Sequence, residues 1–268
     1  MTAISPRQAA ADLVWNHWQA GTLIDAPPAE LASQSRAEAY AVQALFEMRS
    51  AHPLFGWKIA ATSQAGQKHI GVEGPLAGRI LAEKVVPEGA LCDLTHCHMK
   101  FAEAEFAFRM GRDLPPRAAP YMQAEVMAAA ASLHPAIEIP DSRFTRYETR
   151  GALQLICDDA CAHQFYLGAA STVNWQSIDL AKLATAGRVF DTEGKLKLEW
   201  PGSGANVLGD PRLALTWIAN ELSAHGVTLR AGQVVTTGTC VPPMTVAPGE
   251  TFVADFGVVG EARLRFAA

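Results

Sequence analysis

The sequence predicts an α+β fold, with a small helical N-terminal part and a mixed or antiparallel, barrel-like sheet behind it. Three observations lead there. Segments that read as strands are short, bounded by Gly and Pro turns, and not interleaved with helices in a regular βα alternation. Two helices precede residue 55, and helices are sparse beyond it. The stretch Phe101–Met110, reading F-A-E-A-E-F-A-F-R-M, alternates as a strand does. We therefore divide the chain into a helical N-terminal subdomain over residues 1–54 and a strand-rich domain over 55–268.

Taken in order, Ser5-Pro6 supplies an N-cap and a proline at the first helical position, and Ala9, Ala10, Leu13, Val14 and Trp18 recur at helical spacing behind it. Ala26-Pro27-Pro28 breaks that helix. A second follows Ser35, with Ala37, Tyr40, Ala41, Leu45 and Phe46 on its apolar side. F-G-W-K-I-A-A, from Phe55, is a short apolar strand carrying one lysine, Lys58. Thr62-Ser63 caps a short helix that runs through His69. Gly71–Gly78 reads as a mobile glycine-rich loop, not a phosphate cradle, because it lacks the G-K-[ST] signature. A helix is expected near Tyr121–Ser132, then a strand in H-P-A-I-E-I-P with Ala136 and Glu138 on one face. Gly151–Cys157 and Gln164–Leu167 read as strands. Arg188–Asp191 and Lys195–Trp200 form a hairpin through Thr192-Glu193-Gly194. Asp210-Pro211 starts the clearest helix, which ends at Gly226. Short strands and turns follow from Gln233 on.

Composition narrows the function. The chain has 268 residues, 49% hydrophobic and 18% charged, which is enough apolar material for a large core. Its net charge of -5 and the lack of a basic run argue against nucleic acid or an anionic membrane as partner. No apolar run spans a bilayer, and MTAISPRQAAADLVW has no signal-peptide pattern, so the expected location is the cytoplasm. The five cysteines are then expected as free thiols. Cys92, Cys97 and His98, like Cys157, Cys161 and His163, lack zinc-knuckle spacing. No G-x-S-x-G elbow is present.

One constellation stands out. In Phe101–Met110 the residues Ala102, Ala104, Phe106, Phe108 and Met110 make a core face, while Glu103 and Glu105 lie side by side on the other. Adjacent carboxylates on an apolar strand repel each other unless a positive charge sits between them. They mark either an edge strand with a solvated face or a site for a hard cation. Glu138 is a third carboxylate on an apolar strand, and three carboxylates with open water positions suit Mg²⁺ or Mn²⁺. Lys58 is either snorkelling to solvent or desolvated and reactive.

Four segments in order carry a resemblance: G-W-K-I-A-A-T-S (Gly56–Ser63), A-E-A-E-F-A-F (Ala102–Phe108), P-A-I-E-I-P-D-S-R (Pro135–Arg143) and S-G-A-N-V-L-G-D-P (Ser203–Pro211). Together they resemble the 2-keto-4-pentenoate hydratase / 4-oxalocrotonate decarboxylase family of the fumarylacetoacetate hydrolase superfamily, over nearly the whole chain. The resemblance implies that residues 55–268 form a mixed, barrel-like β-roll of the fumarylacetoacetate hydrolase type and are the metal-binding catalytic domain. It implies Mg²⁺ (or Mn²⁺) held by Glu103, Glu105 and Glu138, and Lys58 as acid/base. It implies substrate contacts among Thr62, Ser63, Glu73, Asp141, Ser142, Asp159 and Cys161, although Asp141-Ser142-Arg143 also reads as a strand-end turn. Finally, it implies a homo-oligomer, a pentamer or decamer, acting on short 2-oxo or 2-hydroxydienoic acids in aromatic-compound catabolism.

The chain departs from the family pattern in three places. E-G-P-L-A-G stands where many members have D-Q-P-D-F-G, so Glu73 keeps the first acid and Leu76 replaces the second. C-D-D-A-C at Cys157–Cys161 replaces A-D-N-A-S. T-G-T-C-V-P-P at Thr237–Pro243 has no arginine for a second carboxylate, which favours a short monocarboxylic or neutral-tailed substrate. The expected activity is hydration of such a dienoic acid. The alternatives are an oxalocrotonate-type decarboxylase, an acylpyruvate-type C–C hydrolase, and a catalytically silent subunit.

Overall fold

The computed structural model describes residues 4–29 and 32–268. The N-terminal part holds α1 (Pro6–Ala20) and α2 (Arg36–Gln43), the latter continued by a 3-10 turn over Ala44–Arg49. The Ser5 and Ser35 hydroxyls accept from the third helical N–H of each, as N-caps do. The strands and helices that follow are β1 (Gly56–Ala60), α3 (Gln64–His69), β2 (Leu76–Ile80), β3 (Phe101–Met110), α4 (Gln123–Ala129), β4 (Ala130–Ile139), α5 (Gly151–Cys157), β5 (Gln164–Leu167), β6 (Ala184–Phe190), β7 (Leu196–Ser203), α6 (Pro211–Ala224), β8 (Val234–Thr239), β9 (Met244–Thr245), β10 (Thr251–Asp255) and β11 (Glu261–Arg265).

The main sheet runs β2-β1-β8-β3-β4-β5, with β9 added at the end of β3. It is mixed: β1 and β8 are parallel, and the other pairs are antiparallel. A second sheet, β11-β10-β6-β7, closes over it to form a curled half-barrel. The core lies between the two, where Phe106 of β3 meets Phe256 edge-on at 4.6 Å. The apolar faces of α1 and α2 belong to the same continuous cluster. Gln43 of α2 is wholly buried and donates to the Ala77 and Ile156 carbonyls, which ties the helices to β2 and α5. No helix among the described residues is long and apolar enough to cross a membrane.

Three sequence expectations need correction. Gly151–Cys157 is a helix, not a strand. Its short apolar run fits either period, and packing of Leu155 and Ile156 against α2 decides for the helix. The helix expected near Tyr121–Ser132 ends at Ala129, because the segment from Ala130 to Glu138 pairs with β3 and overrides the helical preference of alanine. Gly71–Gly78 is not a loop throughout: Leu76–Gly78 are buried residues of β2, paired with Ala60, Ile59 and Lys58.

Candidate active site

The register of β3 on β4 sets Glu103 directly opposite Glu138. Glu105 lies one pleat further along the same face. One carboxylate oxygen from each of the three lies within 4.8 Å of the others. β1 reaches the same place through β8, and its Lys58 Nζ stands 2.9 Å from Glu138 Oε1. That contact is an ion pair off the hydrogen-bond axis; Nζ donates instead to the Ala160 carbonyl at 3.0 Å. Lys58 is 3% exposed, which rules out snorkelling.

The electrostatics of this cluster are unbalanced. Burial, and then the Glu138 carboxylate, push the Glu103 carboxyl above its ordinary value, and the same two causes push the Glu105 carboxyl well above its own. Burial disfavours the Lys58 ammonium, but Glu138 and Glu103 outweigh it and hold Lys58 protonated. Three ionised carboxylates with one ammonium leave two net negative charges, the charge that one divalent cation cancels. Glu105 Oε1 and both Glu138 oxygens are buried without a hydrogen-bond partner. Free carboxylate oxygens converging in a dry site are the donor set a hard divalent cation takes.

The surroundings hold these groups in place. Glu105 Oε2 accepts from the Thr236 hydroxyl and from the Gly238 N–H at 2.9 Å, so Oε1 alone is left to face the cluster. Gly238 is at φ +97°, and a Cβ there would lie 2.0 Å from the Thr62 hydroxyl, so only glycine fits. Behind Lys58, Asp159, Ala160 and Cys161 all adopt left-handed backbone (φ 54°, 51° and 62°), which turns the Ala160 carbonyl toward Nζ. Fully buried Arg143 braces this turn, pairing with Asp158 at 2.5 Å and donating to the Asp141 and Ala162 carbonyls.

The other expected contacts fall into two groups. Thr62, Asp159 and Cys161 lie on segments that adjoin Lys58 or Glu105. Asp159 Oδ1 accepts from the Arg79 N–H at 2.7 Å while Oδ2 has no partner, and burial pushes its carboxyl up to about 7. Burial pushes the Cys161 thiol up to about 12. Ser63, Asp141 and Ser142 are already engaged. The Ser63 hydroxyl caps α3, Asp141 accepts from the His98 and Met99 N–H groups at 2.8 Å, and Ser142 donates to Asp158 at 2.6 Å. Glu73 is exposed on the loop before β2, and Leu76 is wholly buried. His134 is tied to Ser132 and the Gly168 carbonyl. Sequence reasoning missed Thr236, Ala160 and the Arg143–Asp158 pair, since each acts through a partner about 15 to 130 positions away.

A curled mixed sheet carrying this cluster is the architecture of the fumarylacetoacetate hydrolase superfamily. The chain belongs within it to the 2-keto-4-pentenoate hydratase / 4-oxalocrotonate decarboxylase family, a family of lyases. It is 32% identical to the TodF product hydratase of Pseudomonas putida over 262 residues, 96% of this chain and 94% of the relative. It is 28% identical to 2-keto-4-pentenoate hydratase of Paraburkholderia xenovorans over 97% of this chain and 94% of that one. Among solved structures, the 4-oxalocrotonate decarboxylase of Pseudomonas putida G7, complexed with magnesium and adipate, superposes with a TM-score of 0.85 at 25% identity, covering 99% of this chain and all of that one. No family model matches the chain.

Proposed function

We propose that the protein is a divalent-metal-dependent hydratase of a short 2-hydroxydienoic or 2-oxo-enoic acid, working as a cytoplasmic homo-oligomer in aromatic-compound catabolism. The observation that carries this reading is the convergence of Glu103, Glu105 and Glu138 beside a buried, protonated Lys58. The three glutamates would hold Mg²⁺ or Mn²⁺, which supplies positive charge for the carboxylate and 2-oxo oxygen of the substrate. Lys58 Nζ delivers a proton to the substrate carbon skeleton as water adds to the conjugated double bond, and the proton that the added water releases returns to the Lys58 amine. The Ala160 carbonyl and Glu138 aim Nζ and keep it charged. Thr62, Ser63, Glu73, Asp141, Ser142, Asp159 and Cys161 are the proposed substrate surroundings, with Thr62, Asp159 and Cys161 nearest to Lys58 or Glu105.

A decarboxylase of an oxalocrotonate-like acid is the second reading, supported by the likeness to a solved decarboxylase. Both reactions need the same electron-withdrawing 2-oxo end and differ in what stands at the far end. Product analysis by NMR separates them. The protein is incubated with 2-hydroxypenta-2,4-dienoate and with 4-oxalocrotonate, each with Mg²⁺ and with a chelator. Metal-dependent 4-hydroxy-2-oxopentanoate is the expected product. Loss of CO₂ from the oxalocrotonate alone would select the decarboxylase, and no reaction with either would reject both.

Two further outcomes are expected. Metal affinity should rise with pH. Glu103 and Glu105 titrate above the unfolded value of 4.5, so the metal-free fold binds extra protons that a cation must displace. The sign for stability follows: between 4.5 and the raised values the metal-free fold loses stability as pH rises, and the thermal shift on adding Mg²⁺ grows over the same window. A Mg²⁺ shift constant from about pH 5 to pH 8 would contradict this. Thr236→Val should weaken Mg²⁺ binding by about 10-fold or more in calorimetry, because Glu105 loses the hydroxyl that orients it. Unchanged affinity would leave Thr236 a purely structural residue.

A further inference from the structure

The main sheet has a cavity on the side away from the glutamates. In the β1–β2 ladder Trp57 stands opposite Arg79, and Lys58 opposite Gly78. Neighbouring residues of a strand face opposite ways, so Trp57 and Arg79 point away from the face that carries Lys58. Together with α2 and the end of α6 they enclose a cavity of about 330 Å³. That is the size of a small-molecule site. Alanines of the α2 segment, Ala41 among them, and Leu222 of α6 make apolar walls. No acidic side chain lines it.

One cation in this cavity is only partly engaged. Arg79 is 3% exposed. Its Nε donates to Glu47 at 2.5 Å and its Nη1 to the Gln43 side chain, while Nη2 has no hydrogen-bond partner among the described residues. The Glu47 side chain stands partly in solvent, so it offsets the guanidinium charge incompletely. The guanidinium lies 4.7 Å from the centroid of the Trp57 ring, and both residues line the cavity. Buried N–H groups without an acceptor are costly, and a carboxylate is the acceptor a guanidinium binds best. Opposite Arg79 the cavity offers rings. The Tyr40 hydroxyl is already bonded to Glu221 and to the Ala77 N–H, which leaves the ring itself, 4.7 Å from that of His225. Aromatic and alanine walls suit a flat apolar body. We propose that this cavity binds a small aromatic monocarboxylate, with the carboxylate on Arg79 Nη2 and the ring among Tyr40, His225 and the alanine face of α2.

Benzoate is the probe. It is titrated into the full chain, and the indole N–H of Trp57, which lines the cavity, is followed by NMR. A saturable shift is expected, with the same affinity in Mg²⁺ and in a chelator. Benzamide has the same shape without the charge and should bind at least about 10-fold more weakly, because the charge-assisted bond is lost. Ala41→Leu fills the cavity, keeps a strong helix former in α2 and should abolish the shift. No shift at about 10 mM benzoate would overturn the proposal, since a ligand of this size that fits should bind below that concentration. Equal affinity for benzamide would overturn it too, as would a shift that survives Ala41→Leu. A shift that requires Mg²⁺ would place benzoate on the glutamate cluster instead and end the proposal.

Discussion

Glu138→Gln is expected to abolish Mg²⁺ binding and turnover together while the fold persists. Glu138 stands at the centre of the cluster, opposite Glu103 across the β3–β4 ladder and 2.9 Å from Lys58 Nζ. Neither of its oxygens has a hydrogen-bond partner, so what the amide loses is the ion pair with Lys58. The amide keeps the shape, but it removes one of the negative charges and turns a donor NH₂ toward Lys58 or a cation. A metal-centred stabilisation of several kcal/mol corresponds to a fall of about 1000-fold or more in rate. The Mg²⁺-dependent thermal shift should vanish alongside it, and Glu103→Gln should behave the same way. Turnover that survives in both variants would remove the metal reading altogether.

Lys58→Met should separate chemistry from metal binding. Turnover is expected to fall by about 100- to 10,000-fold, the usual range for a lost general acid. Mg²⁺ affinity should persist or rise, since the ammonium and the cation neutralise the same carboxylates. The metal-free variant should be less stable. The raised ammonium pKa means that Lys58 contributes stability at all pH values below its unfolded value of 10.5, and loses it only in strong alkali. Breaking a buried ion pair costs on the order of 3 kcal/mol, and added Mg²⁺ should recover part of it. A variant with an unchanged rate would return Lys58 to a structural role.

Local signals carried much of the architecture. The strand over Phe101–Met110 coincides with β3, because its even positions are all apolar while Glu103, Glu105 and Arg109 share the other face. Ser5-Pro6 and Asp210-Pro211 mark the starts of α1 and α6, since capping and a proline at the first helical position are local chemistry. Family membership was legible for a related reason: four ordered motifs span most of the chain. Two carboxylates on one strand face are likewise a sequence-level fact.

What local signals left open was settled by contacts between distant residues. Helix or strand at Gly151–Cys157 depends on α2, more than a hundred positions earlier. Whether Lys58 reaches solvent depends on β8 and on the turn at Asp159–Cys161 covering β1. The convergence of Glu103 with Glu138 needs the register of β3 on β4, and a slip of one residue would send one carboxylate to the other face. By itself, then, the sequence determined the residue types, the periods and the caps. Tertiary structure decided registers, burial and charge state, because these arise only when segments far apart in the chain exclude water from one another.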